Sequence, residues 1–142
     1  MKQLKRKPRS IVALLFVEGF SSCGFVGGIP LLLDPSGKML GLPLSTLSSL
    51  PFHITDFFLP ALWLFLVYGV GFALLTYLLW SGRLYSWSIA VILCVIWLGW
   101  ITFEVIFIGP SPLILVWYFP QIVALVLLTS PGVRQALVRD RE

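Results

Sequence analysis

Four stretches of this chain carry almost no charge for long enough to cross a bilayer, and this limits its fold more than any other feature. They cover about residues 11–32, 57–80, 87–108 and 113–129. At 1.5 Å per helical residue each reaches ~25–36 Å, against a hydrocarbon core of ~30 Å. Apolar residues make up 58% of the chain and charged residues 11%, whereas a soluble domain carries about 25% charged residues. That polar cover is too thin for a water-facing surface. In lipid every backbone N–H and C=O must be satisfied within the protein, which leaves helices for runs of this length. The expectation is an all-α membrane protein: a single domain over residues 1–142, built as a four-helix transmembrane bundle.

The connections set the topology. Ser81-Gly82-Arg83 separates the second and third runs, and Gly109-Pro110-Ser111-Pro112 the third and fourth. Joints this short make neighbouring helices antiparallel. Ser111 is placed to cap the fourth helix, with Pro112 at its first position and Pro120 as an internal kink. With four spans, the N-terminus, the Arg83 joint and the C-terminus share one side. Nine of the ten Lys and Arg residues fall there, Lys38 being the exception. The positive-inside bias makes that side cytoplasmic, so the chain is expected in the cell membrane, multi-pass, with both termini inside. Trp80, Tyr85 and Trp87 mark the same boundary as an aromatic belt. Residues 131–142 form an amphipathic tail, with Val133, Leu137 and Val138 toward the headgroups and Arg134 and Arg141 toward water. The basic cluster Lys2, Lys5, Arg6, Lys7 and Arg9 precedes an apolar run, so it anchors on anionic lipid and not on nucleic acid.

The first run has two further features. Phe20-Ser21-Ser22-Cys23 looks like the cleavage box of a leader, but Glu18 interrupts the apolar stretch before it and the stretch continues to Leu33. The run is therefore kept as a span. Gly24 and Gly28 make a small-xxx-small pair, with Gly27 beside them, and such a pair lets another helix backbone approach closely. Gly24, Gly27, Gly28 and Glu18 are the expected helix-packing residues. Cys23 and Cys94 lie inside apolar runs, without the spacing of a disulfide framework or a metal site.

Residues 34–55 form the one long loop, on the outer side. Asp34-Pro35-Ser36-Gly37 fits a type I turn. Leu44, Leu47 and Leu50, three apart, suit a short interfacial helix. The loop runs Asp34-Pro35-Ser36-Gly37-Lys38-Met39-Leu40-Gly41-Leu42-Pro43, and Pro51-Phe52-His53-Ile54-Thr55-Asp56 leads into the second span. With the glycine-rich first run, these motifs resemble a family of small, largely uncharacterised four-helix proteins of bacterial inner membranes. The resemblance covers roughly the first half of the chain. It implies a bacterial multipass protein and no activity.

Two carboxylates fall inside spans, Glu18 and Glu104. Charge within the bilayer costs at least ~2.5 kcal/mol, so each needs a partner or a function. Glu18 lies ~10 Å into the first span and Glu104 near the outer end of the third, which prevents them from acting as a paired acid and base. Glu104 is expected to turn inward beneath the 34–55 loop, facing the first or second helix. A polar partner would come from that loop, from Ser21 or Ser22, or from a carbonyl near Gly27. Glu104, His53, Asp56, Asp34 and Trp100 are the candidate ligand-binding residues. Asp34 and Asp56 also suit purely local roles in a turn and a helix cap. Gln121, after Pro120, is placed to bond a carbonyl freed by the kink.

No pattern for nucleophilic catalysis, phosphate binding, haem or a metal stands out, so no cofactor, metal or catalytic residue is assigned. One lone histidine gives a weak metal signal. Two functional classes remain ahead of a membrane enzyme. The glycine face favours a structural or accessory protein that packs on itself or on a larger membrane complex. Glu104 and the loop favour an outward-facing binding or transport module for a lipid or small amphiphile. Membrane lipids are partners in either case.

Overall fold

The computed structural model describes residues 9–83, 85–110 and 112–138. All regular structure among them is helical: α1 (Arg9–Ser21), α2 (Gly24–Leu33), α3 (Phe58–Trp63), a π-helical segment (Leu64–Gly71), α4 (Phe72–Ser81), α5 (Ser86–Phe107), α6 (Pro112–Thr129) and α7 (Pro131–Val138), with 3₁₀ turns at Lys38–Leu40 and Leu44–Ser49. Three stretches are long and apolar enough to cross a membrane: Arg9–Leu33, Phe58–Ser81 and Ser86–Phe107. A fourth exists if Val116–Thr129 and Pro131–Val138, bent by 71°, count as one. The expected Ser111 cap, the basic cluster at residues 2–7 and Arg141 lie outside the described residues.

Each long helix turns mostly small or apolar residues inward at helical spacing. Buried positions run Ile11, Leu14, Glu18, Ser21 on α1, and Ser86, Ala90, Cys94, Trp97, Ile101 on α5. Phe72, Leu75 and Leu79 of α4 and Ala124 and Leu128 of α6 meet them in one core. The opposite faces expose Phe16, Val26, Leu66, Leu74, Ile106 and Val126. An apolar exterior around an apolar core is the arrangement of a protein solvated by lipid.

The first span is broken where the sequence suggests a continuous helix. At Ser22 and Cys23 the backbone pattern tightens: Cys23 N–H bonds Phe20 C=O at 3.0 Å and Val26 N–H bonds Cys23 C=O at 2.8 Å, both spanning three residues. Ser21 Oγ–H donates to Val17 C=O (2.9 Å) and Ser22 Oγ–H to Gly19 C=O (2.6 Å), drawing carbonyls away from the straight ladder. Pro30 is accommodated within α2, which runs on to Leu33.

Behind this break, α2 lies against the π-helical segment at backbone distance. A Cβ placed on Gly24 would sit 2.6 Å from Tyr68 Cβ, and one on Gly28 would sit 2.9 Å from the Phe65 nitrogen. Only glycine permits so close an approach. A second cluster forms at this end: Leu31, Leu47, Phe57 and Ala61 bury together, and Leu42, Leu50 and Ile54 pack onto them. Leu47 thus holds the 34–55 loop down on the helices, while Leu44 remains 47% exposed, so the three leucines do not share one buried face.

At the opposite end α7 turns back onto the helices. Val133 is fully buried, and Ala136 and Leu137 pack on the main core. The tail's apolar face is thus covered by protein, at least at Val133, where headgroups were expected. Trp87 Nε1–H donates to Leu128 C=O at 3.0 Å, and the Arg134 guanidinium stands 5.5 Å from the Trp87 ring centre.

Candidate functional site

The loop-side end of the molecule carries a half-open cavity of about 920 Å³. Its walls come from α2, the loop, α3, the π-helical segment, α5 and the start of α6. α5 supplies Trp97, Trp100 and Glu104 from one side of the helix, at spacings of three and four that bring them onto neighbouring turns. The π-helical segment supplies Leu64, Leu66, Val67 and Tyr68. The loop closes the cavity through Thr46, Leu47 and Leu50, which stay in place because Leu47 is anchored among Leu31, Phe57 and Ala61. The size falls within the ~300–1,000 Å³ of small-molecule sites.

Aromatic rings form much of the wall. Trp63 and Trp100 stand 5.6 Å apart between centroids, Tyr68 and Trp97 4.0 Å, and Trp97 and Trp117 5.9 Å. Among the described residues Glu104 is the only charged one in the lining, and no Lys, Arg or His faces the cavity. Trp100 Nε1–H donates to Glu104 Oε1 at 2.8 Å. This is the carboxylate's hydrogen bond, and it corrects the expectation of a partner from the loop or the first span: the partner is the indole one turn back on the same helix.

The other residues expected at this site are elsewhere. His53, exposed, does not line the cavity, nor do Asp34 and Asp56. Both aspartates serve their own backbone. Asp56 Oδ1 accepts from Phe58 N–H (2.9 Å) at the start of α3. Asp34 Oδ1 accepts from Ser36 Oγ–H (2.6 Å) and Ser36 N–H (3.2 Å), and Oδ2 from Met39 N–H (3.0 Å). The Ser36 hydroxyl first and the Met39 amide second hold the Asp34 carboxyl below its ordinary range. Gly37 N–H bonds Asp34 C=O at 3.1 Å, closing the turn. Among the described residues no three His, Cys, Asp or Glu side chains gather as a metal would require. Of the candidate ligand-binding set, the structure brings Glu104 and Trp100 together and leaves out His53, Asp56 and Asp34.

A second polar group, which includes Glu18 from the expected helix-packing residues, lies deeper. Glu18 is fully buried on α1, and Cys94 Sγ–H of α5 donates to its Oε1 at 3.5 Å. One turn along α1, Ser21 Oγ accepts from Gln121 Nε2–H of α6 at 2.5 Å. Gln121 therefore bonds a side chain and not the carbonyl expected from the Pro120 kink. Among the described residues, Glu18 Oε2 and Gln121 Oε1 have no hydrogen-bond partner. These residues join α1, α5 and α6. Cys94 is ten residues before Glu104 on α5, ~15 Å along its axis, so the two carboxylates occupy separate sites.

Gly24 and Gly28 face the π-helical segment of the same chain, with Phe65, Tyr68 and Gly69 as their neighbours. Gly27 meets only Leu64 Cδ1, at 3.9 Å, and lines the cavity. At Gly24 and Gly28 the glycine face is thus filled from within.

Comparison with known proteins gives no direct assignment: no family, curated protein or solved structure matches the chain.

Proposed function

We propose that the chain is a four-span membrane protein whose loop-side cavity opens to the outer face and binds a lipid-like or small amphiphilic ligand. The cavity itself carries the reading: ~920 Å³, apolar and aromatic walls, and a single carboxylate with one oxygen engaged by Trp100. Such a site suits a molecule with a long apolar part and one polar end. The outward orientation is supported by the positive-inside bias: with four alternating spans, nine of the ten Lys and Arg residues fall on the side opposite the 34–55 loop.

The accessory-subunit reading has less support. Its motive was a glycine face free for a partner, and Gly24 and Gly28 are already occupied by Tyr68 and Phe65. An accessory role would need a different surface.

The test is retention of a ligand. Native mass spectrometry of the protein released from mild detergent should reveal a bound amphiphile. Thr46→Trp, which puts an indole into the cavity from the loop, should abolish it without lowering the unfolding temperature. In intact cells, a membrane-impermeant maleimide should label Gly41→Cys. A ligand-free wild-type chain from membranes and lipid extracts alike, or labelling only after lysis, would overturn the reading. A stable protein partner instead of a ligand would favour the accessory role.

A further inference from the structure

We infer that the cavity selects a monocationic amphiphile, its ammonium head held by Glu104 among tryptophan rings. The inference rests on the cavity being a ligand site, as proposed above, and adds the chemistry of what enters it.

Charge is the first argument. A carboxyl group in an apolar wall is costly to ionise unless a cation pairs with it. Glu104 receives one hydrogen bond, from Trp100, and has no cationic partner among the described residues. Lys38 and His53, the nearest basic residues in the loop sequence, do not line the cavity. A cation to pair with the ionised carboxylate would therefore come from the ligand.

The walls are the second argument. Trp63, Trp97, Trp100 and Trp117 line the cavity together with Tyr68 and Phe103. Trp100 bonds Glu104 directly and packs within 5.6 Å of Trp63 and 5.7 Å of Phe103, centroid to centroid. Aromatic faces attract an alkylammonium, most strongly where water is excluded, and tryptophan is the best of them. The rings leave such a head its methyl groups in apolar contact while the carboxylate answers its charge.

The same lining argues against two other heads. An anionic head would meet Glu104 with no compensating cation. A zwitterionic phosphocholine would bring a phosphate into walls without Lys, Arg or His. A single positive charge on an apolar tail is the chemistry that leaves nothing unpaired.

Three ligands sharing a decyl chain separate the possibilities, each titrated as a mole fraction of nanodisc lipid with tryptophan emission and unfolding temperature as readouts. They are decyltrimethylammonium, its uncharged carbon isostere 2,2-dimethyldodecane, and decylphosphocholine. The ammonium should bind at least about tenfold more tightly than either of the others. Glu104→Gln, which can still accept the Trp100 hydrogen bond, should unfold at the wild-type temperature and lose most of that advantage while keeping its affinity for the isostere. Equal binding of all three, unaffected by Glu104→Gln, would overturn the charge selection and leave the amphiphile site standing. Preference for decylphosphocholine would overturn it in favour of a lipid headgroup. Saturation by none of them would remove both this inference and the site beneath it. Selectivity in the wild-type protein decides the matter even if the variant fails to fold.

Discussion

Gly24→Ala tests the close seam between α2 and the π-helical segment. The new Cβ would lie 2.6 Å from Tyr68 Cβ, 2.8 Å from the Tyr68 carbonyl carbon and 2.9 Å from the Gly69 nitrogen. Carbon atoms rest at about 3.5–4.0 Å, so α2 and the π-helical segment must part by roughly 1 Å. Two of the three obstructing atoms are backbone, which a rotamer change cannot relieve. Overpacking of this kind costs ~1–3 kcal/mol, and the alanine returns about 0.5–1 kcal/mol through helix preference. The net loss should be about 0–2.5 kcal/mol. Gly28→Ala meets Phe65 N at 2.9 Å and Phe65 Cα and Cβ at 3.1 Å, and should behave similarly. The controls carry the opposite sign. Gly27→Ala meets nothing nearer than 3.9 Å, and Gly99→Ala nothing within 4 Å, so both should be neutral or gain up to about 1 kcal/mol. Equilibrium unfolding in mixed micelles, followed by helical circular dichroism, reads the difference. If Gly24→Ala is no less stable than Gly27→Ala, backbone contact at Gly24 does not hold these segments together.

Two further predictions concern the carboxylates away from the cavity. Glu18→Met should stay within about 1 kcal/mol of wild type, because the side chain loses one sulfur hydrogen bond and an unpartnered oxygen while its volume is retained. Glu18→Ala should cost ~2–4 kcal/mol by leaving a void. A loss above ~3 kcal/mol for the methionine variant, in the same micelle assay, would mean that the carboxylate holds a further buried partner. Asp34 has its pKa depressed by Ser36 and Met39, so it stabilises the turn fully above the free value of about 3.9 and loses that effect as pH falls through the bound value. The Met39 amide resonance should therefore titrate with a midpoint below 3.9, and Asp34→Asn should abolish the titration. A midpoint at or above the free value would contradict the hydrogen-bonding pattern.

Hydropathy made the helical segments legible because length and apolar content act over many residues at once. The second run was expected from Phe57 to Trp80 and the helices span Phe58–Ser81; the third was expected from Trp87 to Ile108 and spans Ser86–Phe107. Irregularities inside the runs were not legible. The break after Ser21 depends on where two serine hydroxyls point, and serines in apolar helices often bond their own carbonyls without breaking them. The π-helical segment has no compositional mark, since Leu64–Gly71 is as apolar as its flanks. Its position opposite Gly24 and Gly28 emerges only when the two spans meet. Val133 was placed on headgroups from its amphipathic spacing, but spacing identifies an apolar face without saying whether lipid or protein covers it.

The candidate site was half legible for a related reason. Charge in an apolar run singled out Glu104, and Trp100 one turn before it was the nearest side chain able to donate a hydrogen bond from the same face, a pairing that spacing alone supports. Proximity in the loop sequence brought in His53, Asp56 and Asp34, yet a short carboxylate near a helix start or turn finds its nearest amide before any distant ligand. Asp34 and Asp56 followed that rule. Glu18 and Glu104 looked alike as membrane carboxylates, and their surroundings separate them. Glu18 points into a joint of α1, α5 and α6, fully buried and outside the cavity lining. Glu104 borders a cavity of about 920 Å³ with one oxygen held by Trp100. Equal insertion costs were therefore met in different ways: Glu18 joins helices, while Glu104 is held at the edge of a space large enough for a partner from outside the chain.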